Sequence, residues 1–244
     1  MGEGALILHG VLDAAALDAP PSAALLPGVV PGAPLALLPA AGRAALVSRL
    51  PAGVASPFAD PQAVTAIALA HHDALCRIAA THDVAPVALG AVFETEASLS
   101  AKLRERSDAL DATLALIAGQ AEYAVKLIAE PDAPAEPAAA SGGAAYLRAL
   151  ALKRREDRDR ALDRARFVIA FETAVAAHVR AVAKRRPAAG ADRAVLSEIA
   201  CLAPRAAGVL LAPLVVSLEA GARAAGLLLS VRGPWPPYSF ATGG

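Results

Sequence analysis

Residues Gly233–Phe240 read Gly-Pro-Trp-Pro-Pro-Tyr-Ser-Phe, a stretch that can be neither helix nor central strand. Its prolines hold φ near about −65° and lack the N–H that either hydrogen-bond ladder needs. The stretch also carries the only Trp of a 244-residue chain in which 4% of residues are aromatic. It therefore reads as an extended, polyproline-like strip with large apolar side chains hung on it. Two roles suit such a strip: a strap that seals the domain's own core, or a surface that docks a partner. The candidate residues for both are Gly233, Pro234, Trp235, Pro236, Pro237, Tyr238 and Phe240.

The rest of the core has to come from Leu, Val and Ile, because much of the 56% hydrophobic content is Ala. A chain of this length holds one large or two small domains. Basic and acidic residues balance at 23 each. That balance argues against a nucleic-acid partner, which would need a basic excess. It also leaves little net repulsion to keep chains apart near neutral pH. Cys76 and Cys201 have no metal-like or redox-like spacing and read as buried, reduced cytosolic thiols. The N-terminus lacks the basic region of a signal peptide. The longest apolar run, Ala206 to Leu218, is interrupted by Pro213 and is too short for a bilayer. No membrane partner is expected.

Ala5 to Leu12 reads as a buried strand, followed by a proline-punctuated stretch that cannot be helical. Leu35 to Leu38 and Ala44 to Leu50 read as two further strands. Asp60 before Pro61 starts a helix whose stripe is Val64, Ile67, His71, Leu75 and Ile78. Val84 to Phe93 reads as one strand. Thr95 caps a helix that buries Leu99, Leu103, Leu110, Leu114 and Ile117, and Gly119 ends it. Glu122 to Glu130 alternates as a half-buried strand, with Tyr123, Val125 and Leu127 inward.

Pro131 to Gly143 reads as a loop. A long helix then runs from Ala144 to about Arg186, with Phe167, Phe171, Val175, Val179 and Val182 as its apolar stripe. Its middle, Lys153 to Arg166, is dense in alternating charge, which reads as a solvated face or as an electrostatic contact surface. Val195 to Leu202 is a strand. Pro213 opens the last helix, Gly226 caps it, and Leu227 to Val231 is the final strand. The intermixing of helices and strands predicts an α+β fold in two α+β domains, 1–118 and 119–244.

His71, His72 and His82 form the densest group of potential metal ligands. Adjacent helical residues point about 100° apart, so His71 and His72 cannot hold one ion as an i, i+4 pair can. His71 lies on the apolar stripe and reads as a core or interface histidine. His9 and His178 are isolated. Ser48, Ser98 and Ser100 have no base partner visible in sequence, and no nucleotide or hydrolase fingerprint occurs. Nothing in the sequence requires an active site, a catalytic residue, a metal or another cofactor. The alternative is a metal-binding protein or small enzyme built on His71, His72 and His82. A polyproline ligand at Pro234-x-x-Pro237 is a third possibility.

The C-terminal Gly-Pro-Trp-Pro-Pro-Tyr-Ser-Phe resembles the ending of the GvpL/GvpF family of gas vesicle proteins. Leu46-Val47-Ser48, His71-His72-Asp73 and the segment Pro86-Val87-Ala88-Leu89-Gly90-Ala91-Val92-Phe93 are similar to family segments in the same order. So are Gly119 to Leu127 and Tyr146-Leu147 at the head of the long helix. Ala88 stands where the family usually has Arg, so any role of that guanidinium does not carry over to this chain. The resemblance implies two α+β domains, the second related to a ferredoxin-like fold with one long helix. Only three strands are legible after residue 119, one fewer than that fold uses. The resemblance also implies a non-enzymatic assembly or minor structural protein of the cytoplasmic gas vesicle. Its expected partners are the hydrophobic major shell protein, kept from aggregating during nucleation, and other gas vesicle accessory proteins.

Overall fold

The computed structural model describes residues 4–22, 28–51, 58, 60–130, 143–185 and 195–241, without the side chains of 207–212. The expected loop after Pro131 and the expected helix stops at Pro187 and Gly190 lie outside the described residues. The fold is α+β. By internal contacts the chain forms two units, Met1–Glu122 with Pro234–Gly244, and Tyr123–Gly233. The tail, placed in the second domain from sequence, thus groups with the first unit.

The first unit is built on strands β1 (Leu6–Asp13), β2 (Leu35–Ala40), β3 (Arg43–Arg49), β4 (Val84–Pro86) and β5 (Val92–Phe93). The sheet order is β2-β3-β1-β4, with β5 also paired to β1. Both faces of the sheet are covered, which is why β1 is buried almost throughout. Ile7, Leu12, Ala44 and Leu46 pack with Leu75 and Ile78 of helix α1 (Pro61–Ala79). Leu6, Leu8, Val11 and Val47 pack with Leu99, Leu103 and Leu110 of α2 (Glu96–Glu105) and α3 (Ser107–Ile117).

Leu8 and Val11 share a face although they are three positions apart, an offset that puts residues of a regular strand on opposite faces. The β1–β3 register shifts between Leu8 and Gly10, so His9 is the extra residue of a β-bulge. Opposite it, the single strand expected over Val84 to Phe93 is broken. Residues 87–91 leave the ladder, with the Val87 N–H donating to the His9 carbonyl at 3.0 Å. Ala88 is exposed in this break. The single helix expected after Thr95 is likewise two helices. Thr95 caps α2 as the sequence predicts, in a capping box with Ser98, but Arg106 departs from helical geometry and divides α2 from α3.

The second unit runs β6 (Gln120–Ala129), α4 (Gly143–Ala176), β7 (Ala181–Lys184), β8 (Val195–Pro204), α5 (Gly208–Ala224) and β9 (Leu227–Trp235). The sheet order is β7-β8-β6-β9. A β-α-β-β-α-β chain with its strands in that order is ferredoxin-like. β7 is the strand not legible in sequence. Val179 and Val182 continue the helical stripe, yet the helix ends at Ala176. The backbone then pairs antiparallel with β8, Arg180 N–H donating to the Leu202 carbonyl at 2.8 Å. Pro213 lies inside α5 rather than at its start. It sits about one and a half turns in, where it removes one backbone bond. β9 extends to Trp235, so the first residues of the proline strip continue a strand.

Candidate functional site

The bulge at His9 turns its imidazole toward α1, where the helical stripe presents His71. Their Nδ1 atoms are 3.0 Å apart, and His9 Nε2 lies 3.0 Å from Ser48 Oγ on β3. The Val87 backbone hydrogen-bonds His71 in the sense that favours its protonated form, so the Val87 carbonyl is the acceptor. With Nδ1 committed to His9, the donor to Val87 is Nε2–H. His71 Nδ1 then accepts from His9 Nδ1–H, and His9 Nε2 accepts the Ser48 hydroxyl proton. Each group in this Ser48–His9–His71–Val87 chain is satisfied, as burial demands.

Burial lowers the His9 pKa to about 3, with His71 adding to the effect. Burial, then the neighbouring His72, lowers His71 to about 4 against the opposing Val87 bond. Both rings are therefore neutral at pH 7. A serine bonded to a histidine that is oriented by a third group has the logic of an activated nucleophile. Here Ser48 is 0% and His9 1% exposed, so no substrate atom reaches the hydroxyl. The arrangement holds β1, β3 and α1 in one register.

The tail closes over the next residues of α1. Tyr238 packs on the core beneath it, and its ring stacks on His72 with centroids 5.8 Å apart. The Tyr238 hydroxyl and His72 Nδ1 are 3.2 Å apart, and His72 Nε2 lies 3.5 Å from Cys76 Sγ. Trp235 meets the His72 ring edge-on at 6.5 Å. Burial raises the pKa values of both Tyr238 and Cys76, so phenol and thiol stay neutral. Glu122, 0% exposed, accepts from Ser239 N–H at 2.7 Å and from Ser239 Oγ–H at 3.0 Å.

Of the predicted strip, Pro236 and Pro237 are buried, Trp235, Tyr238 and Phe240 are half-buried, and Gly233 and Pro234 are exposed. The end is not extended. Phe240 and Ala241 N–H groups both bond back to the Pro237 carbonyl, a turn that becomes available once the prolines stop.

The three histidines proposed as a metal group do not converge. His71 faces His9 and His72 faces Tyr238, while His82 Nε2 bonds the Ala19 carbonyl at 3.2 Å. Among the described residues no group of three or more His, Cys, Asp or Glu is placed to hold a metal ion.

His9, Ser48 and Glu122 were missed as site residues. A lone histidine in an otherwise apolar strand is the available signal, since a buried imidazole needs partners. Glu122 was expected on the outer face of its strand, yet it is buried.

The second unit presents a different surface. Tyr146, Leu147, Leu152, Leu162 and Ile169 of α4 are each more than half exposed. Among the described residues the buried side chains of α4, Phe171 and Val175, lie at its far end. Gly221 of α5 admits the Phe167 ring where a Cβ would stand 2.7 Å from it. Arg164, in the charged section expected to be a solvated face or an electrostatic contact surface, instead donates to the Ala225 and Gly226 carbonyls at 3.2 Å each and closes the end of α5. Among the described residues no helix is long and apolar enough to cross a membrane.

The chain is similar in fold to the gas vesicle protein GvpF from Anabaena sp. PCC7120, with TM-score 0.69 and 14% identity over 98% of this chain and 96% of that one. It is also similar to GvpF from Microcystis aeruginosa, with TM-score 0.66 and 16% identity over 98% and 99% of the two chains. No curated protein matches it by sequence. The family described as gas vesicle synthesis protein GvpL/GvpF matches residues 5–242, and the chain belongs to that family.

Proposed function

We propose that this chain, within its family's role in gas vesicle formation, binds the hydrophobic major shell protein and keeps it from aggregating during nucleation. The observation that carries this reading is the placement of large apolar side chains in water along α4. Isolated exposed hydrophobics are ordinary, but a series along one helix is the pattern of an interaction surface. An amphipathic shell subunit needs its apolar face covered until it joins the wall, and a preformed helix covers it at low ordering cost.

In this reading the tail is the strap rather than the contact. Trp235, Pro236, Pro237, Tyr238 and Phe240 brace the chain's own first unit, which the buried prolines and the Tyr238–His72 contact support, while Gly233 and Pro234 lead into them from β9. The protein acts without catalysis, beside the forming vesicle in the cytoplasm, among other accessory proteins.

The test is co-expression with the major shell protein of the same gene cluster, followed by size exclusion of the soluble fraction. The expected result is a soluble complex in which both proteins co-elute. Shell protein that remains equally insoluble with and without this chain would sink the reading.

A further inference from the structure

Along α4, Leu147, Ala151, Arg154, Arg158, Leu162, Ala165 and Ile169 recur at spacings of three and four and are all exposed. Such spacing sets side chains on one side of a helix, the geometry of a coiled-coil seam. The seam spans about 33 Å at 1.5 Å per residue. Its two ends are apolar and its centre is basic. An open groove of about 490 Å³ lies along the first half, lined by Leu147, Ala151, Arg154 and Arg158 among others. A second, of about 530 Å³, lies beside the other half, where Ala165 and Ile169 of the seam border it together with Asp157, Arg160 and Leu196 of β8. Neither Arg154 nor Arg158 has an ion-pair partner among the described residues, whereas Arg155 beside them reaches Asp159 at 3.8 Å.

We propose that this seam docks an amphipathic helix of a partner that places carboxylates opposite Arg154 and Arg158 and apolar side chains opposite Leu147, Leu162 and Ile169. For the partner's origin it rests on the proposed function. Charge decides the occupant. The seam itself holds no acidic residue, so two copies cannot set a seam carboxylate against either arginine. A parallel pair would instead face Arg154 and Arg158 with themselves, a like-charge arrangement that is unfavourable. A purely apolar helix would leave two guanidiniums at a closing interface without partners. An acidic partner helix satisfies both ends and the centre.

The test uses the full chain and three synthetic 22-residue amphipathic helices with the same leucine positions. Their two central seam positions are Glu, Lys or Leu. Binding is read by fluorescence anisotropy at low and high salt. The expected result is that the Glu peptide binds about tenfold more tightly than the Lys peptide, with the preference shrinking at high salt. In the double variant Arg154→Glu, Arg158→Glu, which alters only exposed side chains, the preference reverses. Equal binding of all three peptides, tighter binding of the Leu peptide, or no binding overturns the seam. Each of those results leaves the shell-protein reading to the co-expression test, so the two fail separately.

Discussion

In the first unit two histidines, a serine and a glutamate lie inside, and the rings of the tail are turned in over them. In the second, one helix carries five large apolar side chains into water while its ion pairs sit at the surface. Buried polar groups demand mutual partners and so specify one arrangement of β1, β3, α1 and the tail. Exposed apolar groups demand nothing of their own fold and are available to another molecule. Under the proposed function, bracing falls to the first unit and contact to the second.

The sharpest way to break that contrast lies within α4 itself. Phe171→Ala, at a fully buried ring, should cost about 3–5 kcal/mol in urea unfolding. Ile169→Ala, two residues away and 68% exposed, should stay within about 0.5 kcal/mol. Similar losses from the two would mean that the outer face is not free.

The pH response comes next. His9 and His71 have folded pKa values lowered to about 3 and about 4 from 6.5. Below pH 6.5 the unfolded chain therefore binds protons that the folded chain refuses. Stability should hold above that pH and fall as pH drops toward 4 and 3, by on the order of a few kcal/mol. Trp235, the only Trp, stands beside His72 and reports on this unit. Its fluorescence-detected melting should already shift between pH 6.5 and 5. Lys184 first, and then Ser197, hold the Glu172 carboxyl of the second unit below its usual 4.5, so its loss begins only at lower pH. A flat melting profile down to pH 5 would remove the neutral histidine chain from the account.

Smaller effects grade the strap. Ser239→Ala removes one hydrogen bond to the Glu122 carboxylate and should cost about 1.5–2 kcal/mol. Tyr238→Phe keeps the ring on His72 and removes only the hydroxyl bond, for about 1 kcal/mol. If neither changes chemical unfolding, the tail does not brace the first unit.

Features set by neighbouring residues were legible in sequence. Asp60 before Pro61, the Thr95 cap, and Gly119 and Gly226 at positive φ mark element ends by local chemistry. The strands Leu35–Ala40 and Arg43–Arg49 announced themselves by composition and turn. What depends on distant partners was not legible. Val182 fits a helical stripe, and only pairing with Cys201 on β8 makes it a strand residue. A one-residue bulge at His9 reverses which face Val11 takes. Ser48 finds its histidine 39 residues away, and Glu122 finds the tail 117 residues on. The candidate strip was visible because its composition is local, but its placement against the first unit was not.

The most direct test is hydrogen–deuterium exchange of the full chain, alone and with the co-expressed shell protein. New protection is expected along α4 between Tyr146 and Ile169, with Pro236–Ala241 unchanged. Protection gained at the tail with α4 unaffected would reverse the two roles and contradict the proposed function.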